Sequence, residues 1–352
     1  MPRVAAVILH PRAKLDAGPL TRAFAAVRRR NADRHAAGFA ALGAEARVLD
    51  DLPVGMAFGE RIRELVAALR SDGLILLGSG SIPLASQRDR RAFVDAARGR
   101  AGRALANNRY SADVIAVSGA ARLAGLPDLV ADNGLPRWLA EEAGFKVDDL
   151  RGRWRLQVDL DSPLDALLAR PADAEPILAA AGVDLGVVRS RLAAVAAVVR
   201  DPRCELLVAG RTSAGGLAWL ERSTASRTRA LVEERGLKTR TSGQRPARSS
   251  LGYLLDRDGP EAFGPRLAEL ADAALIDTRV LLAHRFGSGE AGWPVAEDRY
   301  ASDLLGPERV NDPWLQALTA SAREAAIPVV LGGHTLVGPG LRLALGGDRR
   351  WT

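Results

Sequence analysis

The stretch Leu74-Ile75-Leu76-Leu77-Gly78-Ser79-Gly80-Ser81-Ile82-Pro83-Leu84 places a strongly apolar run directly before a loop rich in glycine and serine. A short apolar run of this kind predicts a buried strand of a parallel sheet. Residues 4–9 have the same character, and the loop after them contains His10, Arg12 and Lys14. Because open parallel sheets bind ligands at the carboxyl ends of their strands, we expect both loops to lie on one binding edge.

The rest of the first half alternates between helical and strand patterns, which predicts an α/β fold with a doubly wound, mostly parallel sheet. The predicted helices are 20–42, ended by Gly43, and 61–69, 88–97 and 135–143. The further predicted strands are 46–49, 104–106, 114–117 and 155–160, the last running into a helix that opens at Pro163.

A second alternation of strands and helices follows an alanine-rich helical stretch. Its predicted strands are 205–210, 274–283 and 327–331. We therefore expect a first domain over 1–170, a helical connection over 171–200 and a second, smaller α/β domain over 201–352.

Composition narrows the classes of function. No run approaches the roughly 20 apolar residues of a membrane span, and residues 1–9 turn polar too soon for a secretory signal, so we expect a cytoplasmic protein without a membrane partner. The single cysteine, Cys204, excludes an internal disulfide. The net charge of +7 is carried almost entirely by arginine, and aromatic residues make up only 5% of the chain. Without aromatic residues between the basic ones, we expect no nucleic-acid partner.

Two carboxylates close the first half. Asp159 and Asp161, at positions i and i+2 of the predicted strand end, would point to the same side of the sheet. They could share one magnesium ion with substrate phosphates. The alternative is that Asp161 or Ser162 only caps the helix at Pro163.

Three segments resemble the guanylyl- and cytidylyltransferases of molybdenum-cofactor and phospholactate metabolism. Asp159-Leu160-Asp161-Ser162-Pro163-Leu164-Asp165 is similar to their closing D-hydrophobic-D-T-P-x-D element. Asp132-Asn133-Gly134-Leu135-Pro136-Arg137-Trp138-Leu139 is similar to their D-x-G segment, and residues 74–84 are similar to their central strand with G-D-x-P-L. The resemblance covers about residues 1–170.

The resemblance implies a fold like that of the nucleotide-diphospho-sugar transferases and an NTP-dependent reaction with magnesium. A phosphate or hydroxyl of a small acceptor would attack the α-phosphorus, and pyrophosphate would leave. Asp161 would act as catalytic metal ligand beside Asp159, and Lys14 and Arg12 would neutralise the leaving pyrophosphate. The remaining predicted nucleotide contacts are His10, Gly78, Ser79, Gly80, Ser81 and Asn108.

Two departures favour a second interpretation. Ser81 stands where the resemblance implies an aspartate two positions before Pro83, and the usual glycine-rich loop after the first strand is absent. The alternative is therefore a catalytically degenerate protein that binds a nucleotide or another phosphorylated ligand, with the loop of residues 78–81 holding an anion through backbone N–H groups. For Arg12 and Lys14 the alternative is an exposed loop.

The second half offers scattered candidates but no motif that names a family. The candidate site residues are Asp277, Arg279, His284, Asp298, Arg299 and His334. Asp277 and Arg279 could instead form an internal ion pair, and His334 could be a turn histidine bonded to backbone. The basic loop 238–248 is either a surface loop or a lid over phosphates.

Overall fold

A computed structural model describes residues 2–50, 55–129, 132–235 and 246–346. The chain forms two compact units. The first comprises residues 1–15 and 25–160, and the second comprises 16–24 and 161–352. The main part of the second unit begins at Asp161, and this unit is the longer of the two, whereas the sequence predicts a smaller second domain over 201–352.

The first unit contains a six-stranded sheet in the order β2-β1-β3-β5-β4-β6. Its strands are β1 (Val4–Leu9), β2 (Glu45–Leu49), β3 (Gly73–Gly78), β4 (Arg103–Ala106), β5 (Val114–Ser118) and β6 (Lys146–Asp149). β5 runs antiparallel to β3 and β4, while the other pairs are parallel. The α/β class is confirmed, and the sheet is mixed because of this one reversed strand.

Side chains alternate across the sheet and fill a core on each face. Leu74 and Leu76 belong to one buried cluster, whereas Ile75 and Leu77 belong to the other. The helices of this unit are α1 (Pro19–Ala40, whose first residues count with the second unit), α2 (Phe58–Leu69), α3 (Gln87–Arg98) and α4 (Leu135–Glu141). A sheet buried on both faces explains why β3 reads as continuous apolar sequence.

The strand predicted over 155–160 is wrong. A 3₁₀ helix spans Trp154–Gln157, and Asp159 forms an isolated antiparallel bridge with Ser81, outside the strands of the sheet. The cause is tertiary: the Asn107 side-chain amide donates to the Leu156 carbonyl at 2.9 Å. The helix predicted at Pro163 is confirmed, and the Ser162 hydroxyl caps it by accepting from the Asp165 N–H.

The second unit contains a four-stranded parallel sheet in the order β10-β9-β7-β8. Its strands are β7 (Glu205–Gly210), β8 (Arg227–Val232), β9 (Ala273–Asp277) and β10 (Val329–Gly332). The predicted strand 274–283 is correct only as far as Asp277, because Thr278 begins a helix that Asp277 caps.

Helices surround this second sheet. They are α5 (Pro163–Ala169), α6 (Pro171–Ala180), α7 (Gly186–Val198), α8 (Ala214–Ser223), α9 (Ser250–Asp258), α10 (Phe263–Leu270), α11 (Thr278–Phe286), α12 (Ala296–Asp303), α13 (Pro313–Glu324), α14 (His334–Val337) and α15 (Leu341–Ala344). The stretch 171–200 is helical as predicted, but it is more than a connection. α7 packs on β9 and β10 and buries Val188, Leu192 and Val195 completely.

Within the described residues, none of the helices combines the length and the apolar character that crossing a membrane requires.

Candidate functional site

A cavity of about 430 Å³ opens at the carboxyl edge of the first sheet. Leu9 and Pro11 line it from the end of β1, and residues 76–78 line it from the end of β3. β5 begins at this edge because it runs antiparallel, and it brings Asp113 and Ile115 to the wall. The chain connects β1 to β2 on one side and then returns to place β3 on the other side of β1. The cavity therefore lies where the winding of the sheet reverses, the usual ligand position in such folds.

The cavity wall combines apolar and charged side chains. Its apolar part is formed by Leu9, Met56, Phe58, Leu76, Leu77, Ile115 and Leu135, with Ala112 and Pro11 beside them. Its charged part consists of Arg28, Arg61, Asp113 and Asp132. Small-molecule sites in proteins combine apolar surface with polar groups that orient the ligand, and this wall offers groups of both kinds.

The glycine- and serine-rich loop after β3 is buried and satisfies most of its own hydrogen bonds. The Ser79 N–H donates to the Leu9 carbonyl at 2.8 Å, and the Ser81 N–H donates to the Gly78 carbonyl at 3.1 Å. The Ser81 hydroxyl accepts from the Gly78 N–H at 3.2 Å. The N–H groups of Gly78, Ser79 and Ser81 are thus engaged with β1 or within the loop, and these three give little support to an anion cradle.

Helix α1 fixes the carbonyl groups of the same loop. The Asn31 amide donates to the Ser79 and Ser81 carbonyls at 2.9 and 3.1 Å, and His35 Nε2 contacts the Ser81 carbonyl at 2.9 Å. Complete burial and the nearby Arg90 guanidinium lower the pKa of His35 to about 3. His35 is therefore neutral at physiological pH and serves as a hydrogen-bond donor through Nε2.

The two carboxylates that were expected to share an ion belong to different units. Asp159 lies beside Gly80, where an added Cβ would stand 3.0 Å from Asp159 Oδ1 and 3.3 Å from Arg28 Nε. Asp161 belongs to the second unit, where its N–H donates to Asp165 Oδ2 at 3.1 Å. Asp159 thus lies against the loop of residues 78–81, whereas Asp161 is hydrogen-bonded to Asp165.

The donor set at this loop does not fit a magnesium ion held as the resemblance implies. At the position of the second expected carboxylate, the Ser81 hydroxyl is bonded within the loop. Across the described ranges, no group of three histidine, cysteine, aspartate or glutamate side chains is arranged to hold a metal ion. Magnesium binding stays a prediction of the sequence.

The other predicted nucleotide contacts lie outside the cavity wall. His10 is buried, and burial together with Arg28 lowers its pKa. Arg12 is exposed and lies 3.8 Å from the Asp50 carboxylate, and Lys14 is exposed. The Asn108 side chain accepts from the Tyr110 N–H at 3.0 Å and so closes a turn.

Sequence reasoning missed several of the charged residues that line the cavity. Arg28 and Arg61 come from helices, in patterns that indicate only amphipathic surfaces. Asp132 and Leu135 belong to the segment similar to the D-x-G element, and this signal could have located the wall. Asp113 is held by the Asn107 amide at 2.8 Å, a tertiary contact without a sequence signature.

The second unit gathers several of its predicted candidates at the carboxyl ends of β7, β9 and β10. Arg211 donates to Asp277 through Nε at 2.6 Å and through Nη2 at 3.1 Å. Arg279 makes a similar two-point contact with Asp303. The expected ion pair between Asp277 and Arg279 is thus replaced by two buried pairs with other partners.

Burial and these charged groups shift the pKa values of the neighbouring side chains. Burial alone would raise the pKa of Asp277, but the Arg211 guanidinium holds it below its usual value. Burial and the charges of Asp161 and Asp303 raise the pKa of Asp165 well above its usual value. His334 contacts the Arg211 carbonyl through Nδ1 at 2.7 Å, as a turn histidine would, and burial lowers its pKa.

The remaining second-half candidates have structural partners. His284 accepts from the Ser249 N–H at 3.0 Å and contacts Asp256 at 2.9 Å. Asp298 accepts from Asn311 and from the Asp312 N–H. The Arg299 guanidinium lies over the Trp293 ring, 5.6 Å from its centre. The basic loop 238–248 lies outside the described residues up to position 245.

Comparison of the chain with models of protein families and with curated proteins finds no match.

Proposed function

We propose that the first unit binds a nucleoside triphosphate in the cavity at the carboxyl edge of its sheet, as a nucleotidyltransferase-like module. The observation that supports this most is that Arg28 and Arg61 line the same cavity as a group of apolar side chains, at the point where the winding of the sheet reverses. The resemblance of residues 1–170 to nucleotidyltransferases gives independent support.

Each part of the wall suits one part of a nucleotide. The apolar side chains around Phe58 and Leu135 suit a base, because an aromatic ring gains from burial against apolar surface. Arginine guanidinium groups bind phosphate oxygens through paired N–H donors. Asp113 and Asp132 are acceptors for ribose hydroxyl or base N–H groups.

Calorimetric titration with each of the four nucleoside triphosphates tests the proposal. Arg61→Ala should weaken binding about tenfold or more, since a hydrogen bond to a charged group contributes about 1.5–3 kcal/mol. The matched control is Arg91→Ala, which removes the same charge from the exposed face of α3. Absence of binding heat with all four nucleotides, or equal losses in the two variants, would refute the proposal.

A second candidate is nucleotidyl transfer itself, favoured by the bridge that brings Asp159 to Ser81. Pyrophosphate release with magnesium and 2-phospholactate, an acceptor of the class that the resemblance implies, measures it directly. Transfer predicts that Asp159→Asn abolishes release while nucleotide affinity changes little. If both wild-type protein and Asp159→Asn bind nucleotide but neither releases pyrophosphate, the transfer hypothesis is rejected and only nucleotide binding stays proposed.

A further inference from the structure

The second unit has its own reversal point, separate from the nucleotide cavity of the first. The connection from β7 leads through α8 to β8 on one side, and β9 then pairs with the other side of β7. Ligands of open parallel sheets bind outside the carboxyl ends at such a point. The residues that follow β7 are Arg211, Thr212 and Ser213, and Ser213 caps α8.

The close approach of the two strands fixes the shape of this point. Gly210, the last residue of β7, has φ +127°. A Cβ at Gly210 would lie 2.2 Å from the Asp277 Cβ, so only glycine fits. Asp277 is in turn bonded to the Arg211 side chain. The loop between β7 and α8 is therefore held in place before any ligand arrives.

Thr212 carries the observation that points to a ligand. The residue is only 8% exposed, and its buried hydroxyl oxygen has no hydrogen-bond partner in the part of the chain that the structure describes. A buried hydroxyl without a partner costs free energy. The oxygen points at the first turn of α8, where a Cβ on Gly216 would lie 3.4 Å from it.

The first turn of α8 offers further donors. The Ser213 hydroxyl accepts a hydrogen bond from the Gly216 N–H at 3.1 Å. The N–H groups of Ala214 and Gly215 donate to none of the described residues. Among the described residues, a Cβ on Gly215 would have the Ser213 hydroxyl, at 3.9 Å, as its one contact within 4 Å outside its chain neighbours. The amino end of a ten-residue helix with open N–H groups favours a negatively charged group.

We propose that the second unit binds the phosphate group of a small metabolite at the first turn of α8, between the carboxyl ends of β7 and β9. The Ala214 and Gly215 N–H groups and the Thr212 hydroxyl donate to its oxygens, beside the Arg211 guanidinium that is bonded to Asp277.

The neighbouring charges leave this position open to an anion. Asp277 is paired with Arg211, and Asp303 is paired with Arg279. Asp161 is the exposed carboxylate whose charge acts on both Arg211 and His334. It opposes the bound phosphate, so Asp161→Asn is expected to tighten binding.

Inorganic phosphate is the probe, and the amide signals of Gly215 and Gly216 in glycine-labelled full-length protein are the readout. These signals should shift saturably with phosphate and not with chloride at equal ionic strength. The readout is local, so phosphate entering the first unit's cavity leaves it unaffected.

Two variants remove donors without disturbing the fold. Thr212→Val replaces a hydroxyl that has no described partner with a methyl group of the same shape. Ala214→Pro deletes an N–H at the first helical position, where proline is favoured and the extended Ser213 before it is compatible. Each should weaken phosphate binding about tenfold.

The matched control lies at the other end of the same helix. Thr224→Val removes a hydroxyl that donates to the Leu220 carbonyl, and it should leave phosphate affinity unchanged. The proposal is overturned if wild-type protein shows no saturable shift, or if Thr212→Val and Ala214→Pro both bind phosphate as tightly as wild type.

Discussion

Ser81 shows how one side chain changes the interpretation of a site. In the sequence it replaces an expected carboxylate, and in the structure its hydroxyl closes the turn on the Gly78 N–H. Its carbonyl is held by Asn31 and His35. Serine at this position therefore stabilises the loop, and the charged groups that suit a nucleotide come from the cavity wall instead.

Asp165 is the residue whose protonation we expect to influence stability most clearly. Its carboxyl is fully buried, and its pKa is raised by burial and by Asp161 and Asp303. The folded state thus holds a proton that the unfolded chain releases near pH 3.8. Since the folded state then binds more protons, this group lowers the free energy of unfolding as the pH rises from that value toward its folded pKa.

Asp165→Asn should therefore raise the free energy of unfolding at neutral pH, and the gain should vanish below about pH 4. The asparagine oxygen can still accept from the Asp161 N–H and the Ser162 hydroxyl. Denaturant unfolding across pH measures the effect. The control is Asp184→Asn, an exposed residue that accepts from the Gly186 N–H. A gain that is independent of pH, or equal in the control, contradicts the prediction.

At the scale of elements, most strands of both sheets could be predicted from local sequence. β1, β3 and β7 were located within one residue by their apolar runs, and β2, β4 and β5 were located equally well, although β2 is only partly buried. β6 and β8 were missed, and β8 is mostly exposed at the edge of its sheet, without the apolar pattern that marks a buried strand.

Features that depend on contacts between residues far apart in the sequence could not be predicted from local sequence. Residues 278–283 are as apolar as a strand, yet they form a buried helix that the Asp277 side chain caps. Arg211 was not a candidate, although it organises the second unit's charged edge through its bond to Asp277. Arg211 and Asp277 are 66 positions apart, and no local sequence pattern indicates that their side chains are bonded.

The packing of α10 against α13 depends on Gly264. A Cβ at Gly264 in α10 would lie 2.2 Å from the Ser321 carbonyl oxygen of α13. Gly264→Ala should force these helices apart and lower the free energy of unfolding by about 1–3 kcal/mol, the usual cost of overpacking.

The matched control for this substitution is Gly289→Ala, since a Cβ there would have no heavy atom of the described residues within 4 Å apart from its chain neighbours. Both variants can be compared by denaturant unfolding. Equal stability of the two would show that α10 and α13 separate without cost.

At the scale of the whole molecule, both units repeat one topological feature. In each, the first strand of the sheet, β1 or β7, is flanked by the strands that follow it on opposite sides. Each reversal point carries arginine side chains, Arg28 and Arg61 in one unit and Arg211, which is bonded to Asp277, in the other. We therefore propose a separate anionic ligand for each unit.

The central claim is that the first unit's cavity binds a nucleoside triphosphate. A structure determined with a non-hydrolysable nucleoside triphosphate tests this claim most directly. We expect density for the nucleotide with its base against Phe58 and Leu135 and its phosphates at Arg28 and Arg61. A nucleotide bound elsewhere, or an empty cavity at saturating nucleotide, would contradict the account.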